Sequence, residues 1–138
     1  MLTRRVSLTL ALLAAPSLGG ADVLAAQSSA PAGWQATPAS VLKGALRSVT
    51  AAQERYRAAH GVYAASVDQL GMRPESGIRV EILLAGPAGW QAKATHATQP
   101  GRSCVVFVGA LGDAEAPRTD ADREMAGEEG IPLCDRMR

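Results

Sequence analysis

The sequence predicts an α+β fold, in which a long N-terminal amphipathic helix packs on a three-stranded antiparallel sheet, with a disulfide-bounded C-terminal loop. A fourth strand is the alternative. Apolar residues recur at spacings of three and four between Thr37 and Gly61, the pattern of a helix with one apolar face. After Gly77, three short β-type runs are separated by turn signals. Such a helix needs a surface to lie on, and these strands would supply it.

The residues before this helix are predicted to be an export signal and a leader. Arg4 and Arg5 precede an apolar run, and Val23-Leu24-Ala25 is an acceptable cleavage pattern. The run is interrupted by proline and glycine and is shorter than the roughly 20 residues of a membrane span, which argues against a retained anchor. A partial twin-arginine pattern over 3–8 gives an alternative export route. We predict a signal peptide over 1–25, a flexible leader over 26–36 and a globular domain over 37–138.

The helix is predicted over 37–61. Thr37 suits the N-cap, Pro38 the first helical position, and Gly61 can adopt the left-handed conformation that ends a helix. Polar side chains on its other faces, among them Gln53, are predicted to meet water. A capping box over 66–69 predicts one further helical turn. The apolar stripe consists of Leu42, Ala45, Leu46, Val49, Ala52, Tyr56, Ala59 and Tyr63.

The three strands are predicted over 78–85, 90–96 and 103–109. The first alternates between apolar residues and the charged Arg79 and Glu81, which indicates one buried face. The turn-rich sequence GPAG separates it from the second strand, and the third, SCVVFVG, is the most continuously apolar. Laid against the helix, the apolar face of the sheet would be covered.

The C-terminal part contains two cysteines and an acidic segment. Cys104 and Cys134 are an even count in a chain predicted to be exported, so we predict that they form a disulfide. By closing the chain between them, this disulfide would add about 3–4 kcal/mol to the free energy of unfolding in the chain-entropy model. Residues 113–129, the acidic loop, hold seven acidic residues and two arginines, a local net charge of −5. We predict a polar loop whose C-terminal end is attached to the third strand by the disulfide.

At this point the chain resembles the globular heads of type IV pilins and type II secretion pseudopilins. The similar segments are 45–56 (ALRSVTAAQERY), His60-Gly61-Val62-Tyr63, Leu70-Gly71 and 89–96 (GWQAKATH), and a cysteine pair brackets a C-terminal loop in many pilins. The resemblance spans roughly residues 41–135. Residues 1–36 depart from the family, because they contain no Gly-Phe junction and no early glutamate followed by an apolar helix.

The resemblance implies an exported head domain that acts through protein contacts, with pilus or secretion-system components as partners. The departure implies a soluble periplasmic or extracellular protein, with no membrane span after signal cleavage. The precursor's 14 basic and 13 acidic side chains fall to 12 of each once Arg4, Arg5 and Asp22 are removed, which gives no electrostatic case for binding nucleic acid. We predict partner contacts at Asp113, Glu115, Glu128 and Glu129.

An enzyme and a ligand-binding module are two other classes of function. His60 and His96 are tied to no nucleophile, zinc-protease or phosphate-loop motif, so the sequence predicts a protein that is not an enzyme and has no cofactor. The alternative is a calcium- or small-ligand-binding module. Met125 stands where an EF-hand needs glycine, so calcium would require a different kind of site. Its candidate ligands are Asp120, Asp122 and Glu124, with Glu128 and Glu129 beside them.

Overall fold

A computed structural model of the protein describes residues 35–138. In this part, helix α1 (Pro38–His60) is followed by strands β1 (Ile78–Ala85), β2 (Gly89–His96), β3 (Ser103–Gly109) and β4 (Leu133–Cys134). The predicted signal peptide and nearly all of the predicted leader lie outside the described residues. Within 35–138, no helix has both the length and the apolar character needed to cross a bilayer.

The predicted fold class was wrong in two respects. The helix lies within the chain, beginning at Pro38, and not at its N-terminus. The sheet has four antiparallel strands in the order β1-β2-β3-β4, which is the alternative given above and not the three strands predicted first. The fourth strand has a clear physical reason: a disulfide joins Cys104 to Cys134, and in that register Leu133 pairs with Val105.

The ends of α1 are set by local hydrogen bonds. The Thr37 hydroxyl oxygen accepts a bond from the Ser40 amide at 3.2 Å, which satisfies one of the free N–H groups of the first turn. At the other end Gly61 has a φ of 77°, and its N–H donates to the Arg57 carbonyl at 2.7 Å. A left-handed glycine closes the helix because it carries no Cβ to clash.

The core lies between α1 and one face of the sheet. Trp90 is fully buried at its centre, against the tilted ring of Tyr63, with ring centroids 6.4 Å apart. Its indole N–H has no hydrogen-bond partner in the described chain. Burying each large aliphatic side chain of the helix contributes about 1.5–3 kcal/mol. The buried cluster consists of Leu42, Leu46, Val49, Tyr63, Trp90, Ala92, Ala94, Cys104 and Val106.

Gln53 lies in this buried layer, although the sequence assigns it to the solvent-facing side of the helix. Its amide nitrogen donates to the Ala64 carbonyl at 2.8 Å, and its amide oxygen accepts from the Ala64 N–H at 2.7 Å. Both polar ends are therefore satisfied without water. Gln53 clamps the segment after the helix, while Ala59, assigned to the apolar stripe, is exposed.

Candidate functional site

The acidic loop folds over the second face of the sheet, opposite α1. The Asp120 amide donates to the Ser103 hydroxyl at 2.8 Å, and the Asp120 carboxylate accepts from the Lys93 ammonium at 3.3 Å. Val105 is paired with Lys93 on one side and Leu133 on the other, and it is fully buried. The acidic loop therefore covers this face of the sheet. It is packed more extensively than the predicted polar segment would be.

Within the acidic loop the chain turns back on itself. Arg118 and Met125 form an antiparallel bridge, the Thr119 N–H donates to the Glu124 carbonyl at 2.9 Å, and the Ala126 N–H donates to the Pro117 carbonyl at 3.0 Å. The turn at its end contains the described chain's only non-glycine residue with positive φ, Arg123 at 58°. These bonds give the loop an internal structure of its own.

Asp135 holds this turn against the sheet. Its buried carboxylate accepts three backbone N–H bonds: from Ser103 at 2.8 Å, from Ala121 at 3.0 Å and from Asp122 at 2.7 Å. Burial alone would raise the pKa of Asp135, but the N–H groups of Asp122, Ala121 and Ser103 and the Thr119 hydroxyl together hold that pKa below its ordinary value. The carboxylate of Asp135, the residue after β4, thus links β3 to the acidic loop.

The far end of the acidic loop is attached at the end of β3. The Glu129 carboxylate accepts from the Gly109 N–H at 2.7 Å, and the Gly130 N–H donates to the Phe107 carbonyl at 2.8 Å. Gly109 has a φ of 75°, and a Cβ there would overlap the Ala88 carbonyl oxygen, so only glycine fits. Together with Asp135 and the disulfide, these bonds fix the loop at several points.

The three predicted calcium ligands have separate surroundings. The Asp120 carboxylate pairs with Lys93, and the Asp122 carboxylate accepts from the Arg136 N–H at 2.8 Å. Glu124 is exposed and contributes its backbone to the turn. In residues 35–138 no group of three or more His, Cys, Asp or Glu side chains is placed to hold a metal ion.

The four predicted partner-contact residues are all exposed. Glu115 lies 3.9 Å from the Arg118 guanidinium, an ion pair that solvent weakens. Glu129 is committed to Gly109, as described above. Asp113 and Glu128 point their carboxylates at solvent without a salt bridge among the described residues. The predicted set therefore contains two carboxylates with structural contacts and two without.

Two features of this site were missed at the sequence level. One is Asp135, which follows Cys134 immediately. An acidic residue beside a cysteine does not indicate that three backbone N–H groups will converge on its carboxylate. Met125 and Ile131 are exposed by 46% and 56% and lie near each other on the loop surface. Ile131 is exposed, whereas Pro132 is buried and Leu133 pairs with Val105 in the sheet.

The two histidines make local contacts. His60 Nδ1 lies 2.9 Å from the Tyr56 carbonyl, and its ring stacks on the Tyr56 ring at a centroid distance of 4.0 Å. His96 Nδ1 accepts from the Thr98 N–H at 3.1 Å. The Thr98 hydroxyl also lies 2.8 Å from His96 Nδ1, so the contacts of both imidazoles are to residues within four positions along the chain.

No protein-family model matches this chain, and neither does any curated protein. The resemblance to pilins and pseudopilins therefore stays a prediction, based on the residues quoted for it above.

Proposed function

We propose that this chain is an exported, non-enzymatic protein that acts through protein contacts made by its acidic loop. Components of a pilus or of a type II secretion system are the partner class that the family resemblance favours. The surface of the acidic loop could make these contacts without a pilin-type N-terminal helix.

The observation that carries the proposal is the combination of a fixed backbone with exposed charge. The acidic loop is held by the disulfide, by Asp135 and by the Glu129 contact to Gly109, yet most of its carboxylates face solvent. A surface that is already ordered loses less conformational entropy when a partner binds. Functional residues are often carried on loops that a rigid scaffold positions.

Export is supported by the disulfide. Structural disulfides persist in oxidising compartments and are rare in the reducing cytosol. The Cys104–Cys134 bond joins β4 to β3 and is one of the attachments that hold the acidic loop over the second face. A structural disulfide of this kind agrees with the signal peptide predicted from residues 1–25.

A photocrosslinking experiment in the cell envelope tests this function. A photoreactive amino acid is placed at Glu128 in the full-length chain and, as the matched control, at Asp68, which is exposed on the turn after the helix. We expect a discrete adduct from position 128 that the control position does not give. Mass spectrometry of that adduct then identifies the partner.

The outcomes separate the parts of the proposal. A pilus or secretion component in the adduct supports the whole of it. A different envelope protein supports the contact role but overturns the partner class. Identical patterns from positions 128 and 68, or no adduct from either, would overturn the role of the acidic loop.

A further inference from the structure

An apolar groove lies on the surface of the acidic loop. The described chain has four exposed large hydrophobic side chains, Val62, Leu83, Met125 and Ile131, and the last two line this one groove. Pro132 and Leu133 complete its apolar wall, and its volume is about 470 Å³. Small-ligand sites in proteins occupy about 300–1,000 Å³, so the groove is large enough to take up a side chain.

The walls of the groove are formed by ordered backbone. Leu133 belongs to β4 and pairs with Val105, while Met125 is bridged to Arg118. The Ile131 N–H donates to the Glu128 carbonyl at 3.2 Å, which closes the turn between the two exposed side chains. The groove therefore exists before any ligand arrives, and the thioether of Met125 can adapt to the shape of an occupant.

The rim of the groove is acidic. Glu124 and Glu128 both line it and both are exposed, and neither forms a salt bridge within residues 35–138. Two cations belong to the same loop: Arg118, which is paired with Glu115, and Arg123, next to Glu124. With a net charge of −5 over residues 113–129, the field at the groove attracts cations and repels anions.

Building on the proposed function, we propose that this groove binds a segment of a partner protein in which apolar side chains are flanked by lysine or arginine. The apolar side chains would lie against Met125 and Ile131. The flanking cations would reach Glu124 and Glu128. An acidic segment would face like charges at the rim, and a purely polar cationic segment would leave the apolar wall exposed to water.

The test uses three synthetic peptides with the purified, oxidised protein. The probe is GKKLFKKG, the charge control is GEELFEEG, and the apolar control is GKKSSKKG. Amide chemical shifts in two-dimensional NMR spectra report which residues each peptide touches, and fluorescence anisotropy gives its affinity. We expect the probe to shift the amides of residues 124–133 and to bind at least about tenfold more tightly than either control.

Variants separate the two contributions. Met125→Ser with Ile131→Ser is compared with Val62→Ser and Leu83→Ser, the two exposed apolar residues outside the groove. We expect only the groove variant to weaken probe binding, by about tenfold. Glu124→Gln with Glu128→Gln should flatten the loss of affinity between about 50 mM and 500 mM NaCl, because that loss comes from screened charge. Glu75→Gln, at an exposed site in the segment 72–77, should leave the salt dependence of probe binding unchanged.

Several results would overturn the proposal: equal binding of GKKLFKKG and GKKSSKKG, shifts centred outside the groove, or equal losses in the groove variant and the Val62 and Leu83 controls. Failure here is distinguishable from failure of the proposed function. If position 128 still crosslinks one envelope protein in a strain with the Met125→Ser and Ile131→Ser changes, the loop function stands and the groove inference falls. If the probe binds the groove but no envelope protein crosslinks, the groove binds such a segment and the proposed loop function falls.

Discussion

Replacing Asp135 by asparagine should destabilise the fold strongly, because this buried carboxylate accepts three backbone N–H groups at 2.7–3.0 Å. Hydrogen bonds to a charged group contribute about 1.5–3 kcal/mol each, and an unsatisfied buried group costs about 1–3 kcal/mol. The asparagine oxygen can take the place of the oxygen that accepts from Ser103 and Ala121. The amide NH₂ then faces the Asp122 N–H, donor against donor. We expect a loss of about 2–4 kcal/mol at neutral pH.

Denaturant unfolding of the oxidised protein measures this loss, and for a domain of this size the melting temperature should fall by about 8–30 °C. The pH dependence supplies a second readout. Because the pKa of Asp135 is lower in the folded protein than its ordinary value of 3.8, its contribution is complete well above that value and is lost as the pH falls through the folded pKa. The difference between wild type and Asp135→Asn should therefore shrink in acid.

Asp113→Asn is the matched control, since it makes the same chemical change at an exposed position of the same loop. It should alter the free energy of unfolding by less than about 0.5 kcal/mol. Equal stability of Asp135→Asn and wild type at neutral pH would refute the reasoning. So would a difference that stays constant between about pH 7 and pH 3.

Three further perturbations test other parts of the fold. Gln53→Leu leaves the buried N–H and C=O of Ala64 without partners. It should lower the free energy of unfolding, measured with urea, by about 2–4 kcal/mol. Gly109→Ala should cost at least about 2 kcal/mol more than Gly112→Ala in thermal melts, because both positions have positive φ but only the first also meets backbone atoms. Removing the disulfide by Cys104→Ser with Cys134→Ser should cost about 3–4 kcal/mol, and a reductant should bring wild type to the same stability.

The limits of the helix follow from local chemistry that the sequence displays. Thr37, Pro38 and Gly61 act within four residues of themselves, so their roles do not depend on the rest of the fold. Gln53 shows where such reasoning ends. A glutamine on a helix normally faces water, and it is buried here only because the Ala64 backbone, eleven residues away, meets both ends of its amide.

The acidic loop could not be predicted in the same way. Its composition indicates a solvated segment, and most of its side chains are indeed exposed. Its position depends on Asp135 accepting bonds from backbone N–H groups, and backbone groups leave no trace in residue type. The fourth strand has a similar origin, because two residues such as Leu133 and Cys134 are too short to show a period of two.

The bond between Cys104 and Cys134 also determines how the molecule would carry mechanical load. A pull on the chain beyond Cys134 passes directly through the sulfur atoms into β3, in the interior of the sheet. The covalent path of the load therefore bypasses residues 105–133. The same pull acts first on Asp135, whose carboxylate holds the acidic turn against the sheet, so the disulfide and this carboxylate would bear the load together.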